Sequence, residues 1–301
     1  MKVLPFQIPK PTNDALIYQE DREIAFYDQL HQHEEIQLSY IVNGEGTLLV
    51  GDTISSYKSG DIFAIGSNLP HVFQSDSNLA EESVMLTLFF TKKSFGDDFF
   101  ELEELKETSS FFRHIENGFK IVSQQKLFEE KFTVLFNQTK LQRFVSLLEI
   151  LKLMGKAKKE SLSSYHYKKS FSDNEGKRMR EVIDFTLNNY NESITLEKIA
   201  DEASMSKNAF CKYFKKRTNK TYFQFLNELR IERACKLLVE TECTISEVAF
   251  QVGFGNLSNF NRKFKEVKVK TPTEFKKTFR LRSRLHTKDY SILLGLSLVS
   301  F

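Results

Sequence analysis

The chain has no tryptophan and only 3 cysteines in 301 residues. With 29 phenylalanines present, Phe is the main large aromatic core filler. Cys211, Cys235 and Cys243 are odd in number, and their spacing fits no zinc or redox motif. A reducing cytosol is the simpler reading of them. No apolar run reaches the roughly 18–20 residues of a membrane span. Met1–Lys10 lacks the basic start and long apolar stretch of a secretory signal.

Hydrophobic residues make up 41% and charged residues 28%, a globular balance that speaks against wholesale disorder. The length suggests two domains, each large enough to bury a core. The net charge of +3 hides an asymmetry. Residues 1–170 hold 19 Lys and Arg against 24 Asp and Glu, and residues 171–301 hold 24 against 16. An acidic half joined to a basic half fits a regulatory module attached to a polyanion binder.

Residues 20–95 read as short strands, with Ile36–Val42, Gly46–Asp52, Asp61–Ile65 and Val84–Phe90 rich in β-branched and aromatic residues. Asn43-Gly44-Glu45-Gly46 is expected as a hairpin turn, and Gly51-Asp52 and Ser59-Gly60-Asp61 as further turns. This spacing predicts a sandwich or small barrel. Beyond Phe99 the pattern turns helical. Phe132, Leu135, Phe136, Leu141, Phe144, Val145, Leu148 and Leu151 recur at three- and four-residue steps. Residues 155–174 are polar, basic and serine-rich without an apolar period, and are expected as a linker.

Residues 175–280 read as helical almost throughout and contain a duplication of about 50 residues. TLEKIADEASMSKNAFCKYFKKRTNKTYFQF begins at Thr195, and TISEVAFQVGFGNLSNFNRKFKEVKVKTPTEF begins at Thr244. Ala200 matches Ala249, Phe210 matches Phe260, and Phe214 matches Phe264. Each copy has the grammar of a helix-turn-helix. A small residue lets a second helix approach, a turn follows, and Ser206 or Asn256 caps the second helix. Thr244 with Glu247, and Thr271 with Glu274, fit capping boxes, and Pro272 sits at a first helical position.

IADEASMS, LRIERACKLL, ISEVAFQVGFGNLSNFNRKFK and TPTEF together resemble the DNA-binding domain of AraC-type (arabinose-regulator) transcription factors. The resemblance covers about 100 residues, Lys177–Phe279. Two departures stand out: Ser204 where a turn glycine is common, and Val269-Lys270 where Gly-Lys is usual. The resemblance puts Asn208, Cys211 and Lys212, with Ser258, Asn259, Asn261 and Arg262, on base-reading positions. It makes Ser206, Lys215, Arg230, Asn256 and Lys265 phosphate contacts. By chemistry, Arg262 suits guanine O6 and N7, Asn259 or Asn261 suits adenine, and Leu257 suits a thymine methyl.

In the first half, His31-Gln32-His33, Gln37, Gly44, Gly60 and Pro70-His71 resemble the two motifs of the cupin barrel. In metal-binding cupins an acid stands where Gln37 stands here. The histidines are therefore expected as hydrogen-bonding groups at the barrel mouth, with no metal and no cofactor. His33, Gln37 and His71 form the candidate effector pocket, with Tyr40 and Phe73 as inward aromatics.

The resulting expectation is a multidomain protein. An all-β cupin-like effector barrel occupies residues 1–97, a helical dimerisation segment 98–154, and a linker 155–174. An all-α double helix-turn-helix domain spans 175–282, and an apolar tail of open role 283–301. Its N-terminal segment, Phe6–Ile17, is a candidate arm. The expected function is an effector-responsive, sequence-specific transcription factor, of activator type and not an enzyme. It would act in the cytoplasm as a homodimer on double-stranded DNA, with RNA polymerase as partner and no membrane. The rival readings are a metal-dependent cupin enzyme fused to a DNA binder, and a barrel that binds another protein.

Overall fold

The computed structural model describes residues 6, 8, 14–76, 82–164 and 173–279. The apolar tail 283–301 and half of the candidate arm lie outside these residues. The chain divides into two compact units, residues 1–185 with 200–220, and residues 186–199 with 221–301.

Among the described residues, the first unit is built on nine antiparallel strands: β1 (Ile17–Glu23), β2 (Ile36–Asn43), β3 (Gly46–Val50), β4 (Thr53–Tyr57), β5 (Ile62–Ile65), β6 (His71–Ser75), β7 (Ser83–Phe90), β8 (Phe119–Ile121) and β9 (Lys159–Ser161). One sheet has the order β1-β7-β2-β5-β8-β9 and the other β4-β3-β6. The period of two sorts the side chains of the larger sheet onto two faces. Ile41, Phe63, Ile65 and Met85 face inward and pack with Leu48, Val50, Tyr57 and Phe73 of the smaller sheet. Leu38, Tyr40, Ile62, Ala64, Leu86 and Leu88 face the other way and pack against helices. Tyr40, expected to point inward, therefore belongs to the outer face and lies 6.0 Å from the Phe132 ring. Phe73 does point inward.

Asn43–Gly46 is not a hairpin turn, because β2 pairs with β5 and β7 whereas β3 pairs with β4 and β6. The segment is a corner between sheets. Gly44 takes φ +117 there, and a Cβ at Gly44 would lie 2.9 Å from Ser83 Oγ. Gly51-Asp52 does close a two-residue hairpin between β3 and β4.

Three helices cover the outer face: α1 (Ser109–His114), α2 (Gln125–Thr133) and α3 (Lys140–Lys156). A Thr139–Gln142 capping box starts α3. Its Leu147, Ile150, Leu151 and Met154, with Phe128 and Phe132 of α2, are fully buried against the sheet. Much of the expected apolar stripe is thus core, while Phe136, Leu141 and Val145 remain exposed. The expected linker is also partly structured, because β9 pairs with β8 and extends the sheet. A three-residue edge strand has too little apolar periodicity to be seen in sequence.

Helix α4 (Asp173–Asn189) begins in the first unit. Arg180 donates from Nε to the Leu30 carbonyl at 2.7 Å, and its guanidinium stacks on the Phe6 ring. Gly176 lets Phe6 approach, since a Cβ there would lie 2.1 Å from the ring. Phe6 and Ile8 pair through their backbones with Gln32. These described parts of the N-terminal segment therefore touch both the barrel and α4. Those contacts tie residues 173–185 to the barrel, and Tyr213 and Arg217, which bond to Glu175, tie them to residues 200–220 of the same unit.

Helices α5 (Leu196–Glu202), α6 (Lys207–Thr218), α7 (Tyr222–Glu240), α8 (Ile245–Gln251) and α9 (Leu257–Lys268) follow, and residues 272–279 are helical. In the second unit, Ile231, Ala234, Cys235 and Leu238 of α7 pack with Val248, Ala249, Phe260 and Phe264. Burial pushes the Cys235 thiol up to about 12, so it behaves as a small apolar filler.

Candidate nucleic-acid interface and sensor site

The two helix-turn-helix copies are built alike. In the first, Met205 N–H bonds to the Ala200 carbonyl at 2.9 Å, and in the second Phe254 N–H bonds to the Ala249 carbonyl at 3.0 Å. Each turn needs one left-handed residue, and Ser204 (φ 51) and Gly253 (φ 90) supply it. The serine departure is thus absorbed with the same geometry, at the steric cost of a Cβ in that region. Ser206 caps α6 through Ala209 N–H, and Asn256 caps α9 through Asn259 N–H.

Both second helices also end on a left-handed residue, Asn219 after α6 and Val269 after α9. Asn tolerates this conformation; a β-branched valine does not. Val269 is 83% exposed, so its side chain gains little in return. Val269→Gly should raise stability by about 1 kcal/mol, read as a higher melting temperature. An unchanged or lower melting temperature would count against the strain.

Phe210, Phe214, Phe260 and Phe264 are fully buried, which turns the intervening polar residues outward. Asn208, Cys211, Lys212 and Lys215 on α6 are exposed, as are Ser258, Asn261, Arg262 and Lys265 on α9, with Asn259 half-buried. Arg262 is held ready by two neighbours: Nη1 donates to Glu266 Oε1 at 2.7 Å, and Nη2 to Asn259 Oδ1 at 2.8 Å. Sequence reasoning did not anticipate Glu266, although its i+4 spacing from Arg262 was readable.

Arg230 is differently employed than expected. Its Nε donates to the Tyr190 carbonyl and its Nη2 to the Glu192 carbonyl, both at 2.7 Å, and its guanidinium lies over the Phe254 ring. This side chain fastens the end of α4 to the second copy. Ser206 and Asn256 spend their side-chain oxygens on caps.

In the barrel, His33, Gln37 and His71 do come together, buried at 1%, 4% and 1% exposure. His33 Nε2 lies 3.0 Å and His71 Nε2 3.2 Å from Gln37 Oε1. Gln37 Nε2 donates to Ser39 Oγ, which in turn meets Thr87 Oγ1. Ser39, Thr87 and Phe89, whose ring packs edge-on to His33 at 5.3 Å, were missed in the sequence. Their inward alternation on β2 and β7 was the available signal. His31 joins the cluster through a reciprocal backbone bridge with His71.

The loop leading to His31 carries a titratable contact. Asp184 of α4 accepts from the Leu30 backbone, and its Oδ1 has no hydrogen-bond partner among the described residues. Burial is the main cause that pushes this carboxyl up to about 7, opposed by Arg180 and reinforced by Asp28 and Glu181. The protonated form is favoured in the fold, so its contribution is complete at low pH and is lost as pH rises through about 7. Melting temperature should fall from about pH 4 to about pH 7 and level off above that, and Asp184→Asn should flatten that limb. An equal slope in the variant would assign the titration elsewhere.

An antiparallel barrel with a buried polar cluster, joined to two helix-turn-helix units that present polar helix faces, defines a DNA-binding regulator with a ligand-binding domain. The AraC-like ligand binding domain model matches residues 15–129, and a helix-turn-helix domain model matches residues 199–278. The chain belongs to the AraC family of transcription regulators. It is similar to an uncharacterized HTH-type transcriptional regulator, YdeC, of Bacillus subtilis, at 24% identity over 85% of this chain and 89% of that one. It is also similar to the Msm operon regulatory protein of Streptococcus mutans, at 25% identity over 85% and 88%. Among solved structures, a probable AraC family transcriptional regulator from Rhodopseudomonas palustris shares 25% identity over 34% of this chain and 97% of that one, with a TM-score of 0.33.

Proposed function

We propose that α6 and α9 are the two recognition helices, entering successive major grooves of one duplex. Asn208, Cys211 and Lys212 read bases in one groove, and Ser258, Asn259, Asn261 and Arg262 in the other. Lys215 and Lys265, with the capped helix starts at Ser206 and Asn256, hold phosphates. The reading is carried by the repeated turn geometry, which gives both copies a buried Phe pair and an exposed polar face. Footprinting on the DNA that the protein selects from a random pool tests it. Two protected grooves about one helical turn apart, roughly 34 Å, are expected. A single protected groove would overturn it.

The barrel is read as the sensor of a small effector, acting by population shift on the DNA-binding helices and favouring activation through contact with RNA polymerase. No catalytic step is assigned to it. The protein acts where its DNA is, in the cytoplasm, and among the described residues no helix is long and apolar enough to cross a membrane. The outer face of α3 and the turn before it is read as the homodimer seam. The exposed Phe136, Leu141 and Val145 support this, since none of them is used by the barrel core. The double variant Leu141→Glu, Val145→Glu should sediment as a monomer with an unchanged melting temperature. A variant that sediments like the wild type would place the seam elsewhere.

A further inference from the structure

We infer that the pocket between the end of α1 and the β8–β9 edge of the larger sheet binds a small hydroxylated anion, a sugar phosphate or a sugar acid. The strand register builds one wall. Phe119 is paired with Ser161 and Ile121 with Lys159. Phe119 and Ile121 are buried among the residues that pack on the outer side of the sheet, so alternation puts Lys159 and Ser161 on that side and Glu160 on the other. The end of α1 and the turn after it contribute Arg113, His114 and Asn117. Together these residues line a cavity of about 360 Å³, within the range of small-molecule sites. Gln37 shares the inward parity of Ile41 on β2, so this pocket is separate from the polar cluster inside the barrel.

Lys159 Nζ donates to the Gly155 carbonyl at 3.1 Å and lies 5.7 Å from the centroid of the Phe119 ring. Burial pushes its ammonium below the ordinary lysine value. Among the described residues no carboxylate pairs with Lys159 or with Arg113. Two cations therefore line one cavity without a counter-ion, and an anion supplies it. The negative end of α1 accounts for basic residues in its last turn, but not for Lys159, which β9 brings in. The pocket also holds acceptors. His114 Nδ1 meets the Ser110 carbonyl at 2.6 Å, so in the neutral ring its Nε2 accepts. Ser161 Oγ donates to the Ser163 carbonyl at 2.8 Å and keeps its lone pairs. Asn117 Oδ1 is buried without a hydrogen-bond partner among the described residues. Cations beside unused acceptors match a ligand that carries both negative charge and hydroxyl donors, which inorganic phosphate or an aliphatic carboxylate does not.

This inference depends neither on the DNA-binding reading nor on the effector role given to the barrel. The full-length protein is titrated by calorimetry with glucose-6-phosphate and with gluconate, and with inorganic phosphate and neutral glucose as controls. One saturable site per chain is expected for at least one of the two sugar anions, with a raised melting temperature. The tighter of the two tells a phosphate source from a carboxylate source. Inorganic phosphate should bind about 10-fold more weakly, and glucose should not bind. Arg113→Ala and Lys159→Gln should each weaken sugar-anion binding about 10-fold, and the double variant about 100-fold. Lys159→Arg, which keeps the charge, should retain most of the binding. The melting temperature of each ligand-free variant should match the wild type. No saturable binding of either sugar anion to the wild type would overturn the site, as would glucose or inorganic phosphate binding equally well. A double variant that binds the sugar anion as tightly as the wild type would place the ligand elsewhere and overturn it too. So would a double variant that loses affinity only for random duplex DNA, which would assign both cations to nucleic acid.

Discussion

Arg262→Ala should abolish the preference of the protein for its operator over bulk DNA while leaving its non-specific affinity nearly intact. The guanidinium is exposed on α9 and already held in a fork by Glu266 and Asn259. A bidentate contact to guanine discriminates against other bases by about 1–3 kcal/mol, or roughly 10- to 100-fold. Lys215→Ala provides the contrast. A phosphate contact carries no sequence information, so its loss should weaken binding to all duplexes about equally and shrink the salt dependence by about one unit of slope. Competition gel shifts with operator and random duplex decide the matter. An unchanged specific-to-nonspecific ratio for Arg262→Ala would remove it from the reading set.

Phe260→Ala should do its damage without touching a base reader. The ring is fully buried, 5.3 Å from Phe254 and 5.6 Å from Phe264, in the core shared with α7 and α8. Deleting a buried phenylalanine costs about 3–5 kcal/mol, a large part of the stability of a small unit. Chemical denaturation followed by circular dichroism should show a helical transition at much lower denaturant, with operator binding lost in parallel. The conservative variant Phe260→Leu should recover most of both. A Phe260→Ala protein of wild-type stability would mean that α9 is not held by this core.

The helix-turn-helix half was legible because its signals are local. Thr244 with Glu247 and Thr271 with Glu274 form the boxes that their spacing implied. Phe210, Phe214, Phe260 and Phe264 are buried, as their helical period required. The barrel was legible only as a class. Strands β2, β3, β5 and β7 were placed from composition, but the pairing of β2 with β7 joins residues more than 40 positions apart. No local pattern encodes that choice, so Asn43–Gly46 read as a hairpin and Tyr40 as an inward residue. The structural role of Arg230 was hidden for a similar reason. Its partners are backbone carbonyls 38 and 40 residues away, and a long cationic side chain looks the same in sequence whether it serves a phosphate or a helix end.

Capping, periodicity and the internal duplication are written into neighbouring residues, and each acts through a few backbone bonds within one or two helical turns. The sequence alone therefore determined two paired-helix modules that follow a β-rich domain. Convergence is different. Only the tertiary structure brought His33 and His71 onto the Gln37 amide with His31 beside them, sorted α3 into a core face and an exposed face, and bonded Arg230 to the Tyr190 and Glu192 carbonyls. Those outcomes follow from strand order and helix docking, where distant segments compete to bury the same apolar surface and the polar groups settle wherever that burial leaves them.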